Sequence, residues 1–223
     1  MKDLAIIVPT RGRPSNIEDL IFSLNETNTV SDLWLVLDDD DPELDHYTEL
    51  GAKALIFPRE GKGVAKPLNK AAMHLLDQYR HFAFLGDDNR AQTDKWDQFF
   101  IAELDLLGTG LVYGNDLFQE ANLPTAVAMT GDIVRELKGM VPPGFIHLYV
   151  DNFWLQLGKD LGAISYLGHV VIEHLHPIAG KANWDEGYRD VNAEEVYSAD
   201  AKAFHKYIVS DDYENLLKKL LAG

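Results

Sequence analysis

Two aspartates stand side by side at positions 87 and 88, after Phe82-Ala83-Phe84-Leu85-Gly86 and before Asn89-Arg90. The apolar tetrad has the length and composition of a strand buried on both faces, so two ionised carboxylates close a core strand. At about 4 Å and an effective dielectric near 20, such a pair repels by roughly 4 kcal/mol. A cation at the strand end would remove that cost. Hard oxygen ligands suit Mg²⁺ or Mn²⁺, which keep coordination positions for water and substrate phosphates. Gly, Asp and Asn are also ordinary turn residues, so other parts of the chain must decide.

Further chemistry-bearing groups are spaced along the sequence. The loop Pro9-Thr10-Arg11-Gly12-Arg13-Pro14 follows the apolar run Leu4–Val8, and open α/β sheets bind ligands at such strand ends. Arg11 and Arg13 flank a glycine there, which in so acidic a chain points to a phosphate or nucleotide contact. Neither G-x-G-x-x-G nor G-x-x-x-x-G-K-[ST] is present, which argues against a dinucleotide site and a P-loop. Asp38-Asp39-Asp40-Asp41 follows Leu33–Leu37. Asp38 or Asp39, nearest the sheet, is the candidate acceptor for a base or ribose, and the rest are expected to face solvent. Lys62 and Lys66 are candidate phosphate or base contacts beside Gly61 and Gly63. Asp151 is placed either to cap a helix or to act as a general base. His174 and His176 project to one face of a strand and can supply a metal ligand, with Gly180-Lys181 and Trp184-Asp185-Glu186-Gly187-Tyr188 following.

The elements that must position these groups alternate. Strands are predicted at Leu4–Val8, Leu33–Leu37, Ala54–Phe57, Phe82–Leu85, Gly110–Tyr113 and Ala126–Met129. Helices fall between them: one opens with a Ser15/Glu18 capping box and carries Ile17, Leu20, Ile21 and Leu24. Another carries Leu68, Ala71, Ala72, Leu75 and Leu76, and a third has a core stripe of Trp96, Phe99, Phe100, Leu104 and Leu107. Alternating strand and helix implies an α/β fold with a doubly wound, mostly parallel sheet. Beyond Pro142-Pro143-Gly144, a helix buries Phe153, Trp154 and Leu157, Ile164–Gly168 reads as a turn, and Val170–His176 as a β-run. A final helix with Tyr213, Leu216, Leu217, Leu220 and Leu221 packs on the domain or on a partner chain, as in a homodimer. The division expected is residues 1–190 as the main domain and 191–223 as a helical extension.

Composition narrows the function. With 223 residues and 46% hydrophobic content, one sizeable core is expected. The formal charge of −16 disfavours non-specific binding to nucleic acid or anionic membrane. No cysteine is present, which excludes disulfides and thiolate chemistry. No apolar run is long enough to span a bilayer and Pro9 interrupts the first one, so a cytoplasmic protein is expected.

Taken together, the segments Ile6-Ile7-Val8-Pro9-Thr10-Arg11, Leu37-Asp38-Asp39, Phe84-Leu85-Gly86-Asp87-Asp88-Asn89, Asp151 and His174-Leu175-His176 resemble a family 2-type glycosyltransferase of the GT-A fold. The resemblance spans about three quarters of the chain and is most like short stand-alone members, some carried by bacteriophages. It implies a nucleotide-diphosphate-sugar donor, a UDP-sugar by preference, and a divalent cation, Mn²⁺ or Mg²⁺. By that resemblance Pro9, Thr10, Arg11 and Asp38 or Asp39 hold the nucleoside, Asp87 is a further donor contact, Asp88 carries the metal, and His174 or His176 completes its shell. Asp151 deprotonates the hydroxyl acceptor in an inverting reaction. The D-x-D motif is altered: aligned on Gly86-Asp87-Asp88 it lacks the first acid, and on Asp87-Asp88-Asn89 the last is an amide. Other readings are a sugar-phosphate nucleotidylyltransferase, a non-catalytic nucleotide-sugar binding protein and a metal-dependent nucleotide-sugar hydrolase.

Overall fold

The computed structural model describes residues 1–222. The first half alternates β1 (Lys2–Pro9), α1 (Pro14–Glu26), β2 (Asp32–Asp38), α2 (Leu44–Glu49), β3 (Lys53–Phe57), α3 (Ala65–Leu75) and β4 (Tyr79–Phe84). These strands run parallel in the order β3-β2-β1-β4. Along β1, Leu4, Ile6 and Val8 face one core while Ala5 and Ile7 face the other, because successive side chains point to opposite sides of a pleated strand. Both faces are covered, which is why the strand reads as a continuous apolar run.

The second half completes a mixed sheet. It comprises β5 (Asn89–Ala91), α4 (Trp96–Leu107), β6 (Leu111–Asn115), β7 (Val127–Thr130), α5 (Gly131–Leu137), α6 (Val150–Leu161) and β8 (Ile164–His174). The full order is β3-β2-β1-β4-β7-β6-β8-β5, with β7 antiparallel to both neighbours and β5 antiparallel to β8. Three helices follow: α7 (Glu186–Val191), α8 (Glu194–Tyr207) and α9 (Asp211–Ala222). The α9 residues Tyr213, Leu216 and Leu220 are buried in the same core as α3, α5 and α6, so the C-terminal helix docks on its own chain.

Several expectations change. The expected turn at 164–168 is the first half of β8, which pairs with β6 and shifts register where Asn115 meets Val171. Gly168 and the exposed His169 sit in that bulge, and they imitate a turn in the sequence. The Ser15/Glu18 capping box does not form. Pro14 presets the helical φ and starts α1 two residues earlier than a Ser15 cap would, so Ser15 lies inside the first turn. Phe99 leaves the core stripe of α4 and packs its ring edge-on against His169. Asp151 is not a cap either: α6 begins at Val150, preceded by Tyr149 in the left-handed region.

Helix α6 meets β8 at close range. A Cβ added at Gly158 would stand 2.5 Å from the Cβ of Ile164. Glycine to alanine inside a helix gains about 1 kcal/mol from propensity, whereas overpacking costs about 1–3 kcal/mol. The collision is with a branched carbon next to backbone, so the cost wins. Gly158→Ala should lower the urea midpoint; an unchanged or raised midpoint would show that this contact relaxes freely.

Candidate active site

The carboxyl ends of β1, β2 and β4 open onto a cleft of about 700 Å³. Pro9, Thr10, Arg11, Arg13, Asp38, Lys62, Lys66, Asp87, Asp88, Asp151, His174 and His176 all line it. Asp39 does not: it is exposed, and its carboxylate accepts the Arg59 N–H at 3.3 Å. Of the four consecutive acids, Asp41 also departs from the expected solvent-facing role. It is buried, accepting the N–H groups of Gly12 (3.0 Å) and Glu43 (2.9 Å), and so ties the end of β2 to the loop after β1.

Asp87 and Asp88 turn to opposite partners. The Thr10 hydroxyl donates to Asp87 Oδ2 at 2.8 Å, and Arg13 Nη1 to Oδ1 at 3.2 Å. Burial, then the charge of Asp88, push the Asp87 carboxyl above its usual range against the pull of Arg13. Asp88 Oδ2 accepts the Tyr188 hydroxyl at 2.7 Å and lies 3.3 Å from His174 Nε2. Burial alone would raise Asp88, but the bond and charge of His174, with Tyr188, hold it below the usual carboxylate range. The same contact raises His174 in spite of its burial. Pairing of β5 with β8 sets Asn89 opposite His174, which delivers the imidazole to the aspartate.

Arg13 is the hub of the second partner set. Its Nε and Nη2 donate to Asp185 at 2.9 and 2.7 Å, and its guanidinium lies 4.0 Å from the Tyr188 ring centre. Asp185 caps α7, accepting the Tyr188 N–H at 2.8 Å. Lys62 pairs with Asp190 of α7 at 3.3 Å, and Lys66 donates to the Glu60 carbonyl at 3.0 Å. On the β2 side, Arg11 donates to Asp38 (3.2 Å) and Asp40 (2.6 Å), while Arg59 Nε stands 3.8 Å from Asp38. Burial raises the Asp38 carboxyl despite these two arginines.

Asp151 lies in the first turn of α6. Burial raises its carboxyl, opposed by the N–H of Asn152 at 2.9 Å. The rings of His174 and His176 are 5.2 Å apart, and His176 Nδ1 accepts the Ile178 N–H at 3.2 Å. A carboxylate oxygen and an imidazole nitrogen 3.3 Å apart fit one divalent ion, since neighbouring octahedral ligands at about 2.1 Å stand roughly 3 Å from each other. Among the described residues no three acidic or histidine side chains converge as a metal cluster, so the protein offers this pair rather than a closed cage.

Four participants carried no assigned role in the sequence. Tyr188 and Asp185 sit in a run whose partner, Arg13, is more than 170 residues away. Arg59 has no neighbouring motif. His147 follows a Pro-Pro-Gly break, and its only signal is being a lone imidazole before Asp151.

No protein-family profile matches the chain, and no curated protein is similar to it in sequence. Solved structures do match in fold. A mannosyltransferase from Pyrobaculum calidifontis, in complex with GDP-Man and Mn²⁺, superposes at TM-score 0.62 and 14% identity over 98% of this chain and 68% of its own. Glucosyl-3-phosphoglycerate synthase from Mycobacterium tuberculosis, with Mn²⁺, UDP and glucosyl-3-phosphoglycerate, gives 0.61 and 15% over 89% and 78%. CMP:2-keto-3-deoxy-manno-octonic acid synthetase with CTP gives 0.55 and 13% over 76% and 90%. The chain therefore has the GT-A-like fold of nucleotide-diphospho-sugar transferases, an architecture shared with nucleotidylyltransferases. Among the described residues no helix is long and apolar enough to cross a membrane.

His147 is partly buried, with its Nδ1 enclosed and without a hydrogen-bond partner, and this burial pushes it down to about 4. Between that value and the unfolded value of about 6.5, the unfolded chain binds the extra proton. His147 thus makes stability rise with pH in that window, by up to about 1.4 kcal/mol per pH unit. His147→Gln should flatten the dependence of the urea unfolding free energy between pH 6.5 and 4; an unchanged slope would show that the imidazole titrates normally.

Proposed function

We propose that the chain is a metal-dependent glycosyltransferase that moves a sugar from a nucleoside-diphosphate donor to an acceptor hydroxyl with inversion. The observation that carries this reading is the Asp88–His174 pair at 3.3 Å, in a strand-end cleft that Asp151 also lines. The GT-A-like fold supports it, and relatives of that fold are described with Mn²⁺ and nucleotides.

The roles follow from position. Asp38, flanked by Arg11 and Arg59, faces the nucleoside; Arg13, Lys62 and Lys66 supply positive charge for the diphosphate. Asp88 and His174 hold the divalent ion, which when bound offsets charge building on the leaving diphosphate. Asp87 works at one remove, fixing Thr10 and Arg13 rather than meeting the donor itself. Asp151, raised by burial, is suited to accept the proton of the acceptor hydroxyl from the face opposite the diphosphate.

A thermal-shift screen of UDP-, GDP-, CMP- and dTDP-sugars, with and without Mn²⁺, identifies the donor, because binding raises stability by RT ln(1 + [L]/Kd). Product analysis then separates transfer to a hydroxyl from donor hydrolysis and from nucleotidyl transfer. Asp88→Ala should abolish the Mn²⁺-dependent part of the shift; calorimetry finding nucleotide affinity and its metal dependence unchanged would reject the assignment. Asp151→Asn should bind donor within about 2-fold of the parent and lose about 10²- to 10⁴-fold in turnover. Full transfer by that variant would remove Asp151 from the reaction.

A further inference from the structure

The side chain of Asp200 is buried, although it lies on α8 in a segment that is otherwise largely exposed. Its Oδ1 accepts the N–H of Ile146 at 2.7 Å, and its Oδ2 accepts those of His147 at 2.9 Å and Leu148 at 2.7 Å. Three successive amides thus converge on one carboxylate. They belong to the loop that enters α6, three to five residues before Asp151. His147 and Leu148 themselves line the cleft.

The same loop is held from the other side. The Ile146 carbonyl accepts the Ala65 N–H at 3.0 Å, at the start of α3. Gly63, at φ +83°, packs so closely that any Cβ there would overlap that carbonyl. The Lys62 loop and the Asp151 loop therefore share one backbone junction, clamped by Asp200. The residue after Leu148, Tyr149, adopts φ +61°, a conformation non-glycine residues rarely hold. Its ring is pinned by α8, with Tyr197 at 5.3 Å and Phe204 at 5.7 Å between centroids, and its hydroxyl meets that of Tyr197 at 2.8 Å. Helix α6 is gripped at its far end too, where the Tyr213 hydroxyl of α9 donates to Asp160 at 2.7 Å.

From this geometry we infer that Asp200 is a positioning residue for the reaction: the C-terminal helix α8 sets the backbone turn that aims Asp151 into the cleft. The inference rests on the reading of Asp151 as the base. It makes the C-terminal helices part of the catalytic machinery. An uncompensated strained turn would relax, and a misplacement of about 1 Å can cost about 10²-fold in rate. Asp200 touches neither the Asp88–His174 pair nor the strand-end arginines, and across the shared junction Lys62 and Lys66 keep their own contacts to Asp190 and to the Glu60 carbonyl, so donor binding should be largely spared.

The test compares Asp200→Asn with a matched control. In Asp200→Asn the oxygen can serve one side of the junction while the amide group confronts an N–H on the other. Asp97 is another buried carboxylate, on α4, whose Oδ2 accepts the N–H groups of Val30 and Ser31 and the Ser31 hydroxyl at 2.7–3.0 Å; none of these residues lines the cleft. Both asparagine variants should lower Tm. Only Asp200→Asn should lower kcat for transfer, by about 10- to 10²-fold, with donor KM and nucleotide Kd within about 2-fold. In the Asp151→Asn background the Asp200 change should cost no more than about 2-fold further, because the two act through one group. If Asp200→Asn does not fold, Asp200→Glu keeps the charge but lengthens the arm, and should show the same kcat-selective loss.

Equal kcat in the Asp200 and Asp97 variants would overturn the inference, as would a parallel loss of donor affinity or a fully multiplicative double variant. An active Asp151→Asn variant would instead reject the base assignment, which distinguishes that failure from this one.

Discussion

Two adjacent carboxylates at the end of a central buried strand impose the condition that the surrounding structure has to satisfy. Their mutual repulsion is of the order of several kcal/mol in a partly buried setting. The fold meets it by sending them apart: Asp87 to the loop after β1, Asp88 to the end of β8 and to α7. Each thereby recruits a distant segment. Asp87 fixes Thr10 and Arg13 in the loop after β1. Asp88 meets His174, and His174 is delivered because β8, after pairing with β6, runs on to pair with the short β5. The mixed second half of the sheet is therefore the means by which an imidazole from residue 174 reaches a carboxylate from residue 88.

How far this was legible in the sequence depended on the range of the interaction. The parallel half was readable because strands covered on both faces become unbroken apolar runs, as in Leu4–Val8 and Leu33–Leu37. Helix stripes such as Leu68, Ala71, Ala72 and Leu75 were equally local. Strand direction was not, since the residues of Val127–Thr130 look the same in either sense. Only the connection from Asn115 to Val127 carries a hint, being short of a crossover helix. The bulge in β8 reads as a turn because a glycine next to an exposed histidine is what a turn looks like.

The candidate site divides the same way. Residues at strand ends were found by position alone, so Pro9, Thr10, Arg11, Arg13, Asp38, Asp87 and Asp88 all reach the cleft. Asp39 was the weaker member of an ambiguous pair; the strand's pleat turns Asp38 toward the cleft and leaves its neighbour outside. Tyr188, Asp185 and Asp200 could not be found, because each acts on a partner fifty to nearly two hundred positions away. For Asp200 the difficulty was greater. In α8 it stands between Ala199 and Ala201, and nothing local distinguishes a buried clamp from a solvated charge.

The charge balance of the cleft completes the argument. The protein is strongly acidic, yet its cleft collects Arg11, Arg13, Arg59 and Lys62, each already paired with an internal carboxylate. A monovalent anion entering there would exchange one carboxylate contact for another and gain little. On the proposed reading a nucleoside diphosphate differs in kind: it offers several anionic oxygens to several cations at once, and a shared divalent ion ties it to Asp88 and His174. Internal acids then act as competitors that weak or singly charged ligands fail to displace, which is specificity built from repulsion as much as attraction. The cleft is therefore not basic overall: its lining sets six arginines and lysines against eight aspartates and glutamates, so neither it nor a chain of charge −16 draws in polyanions.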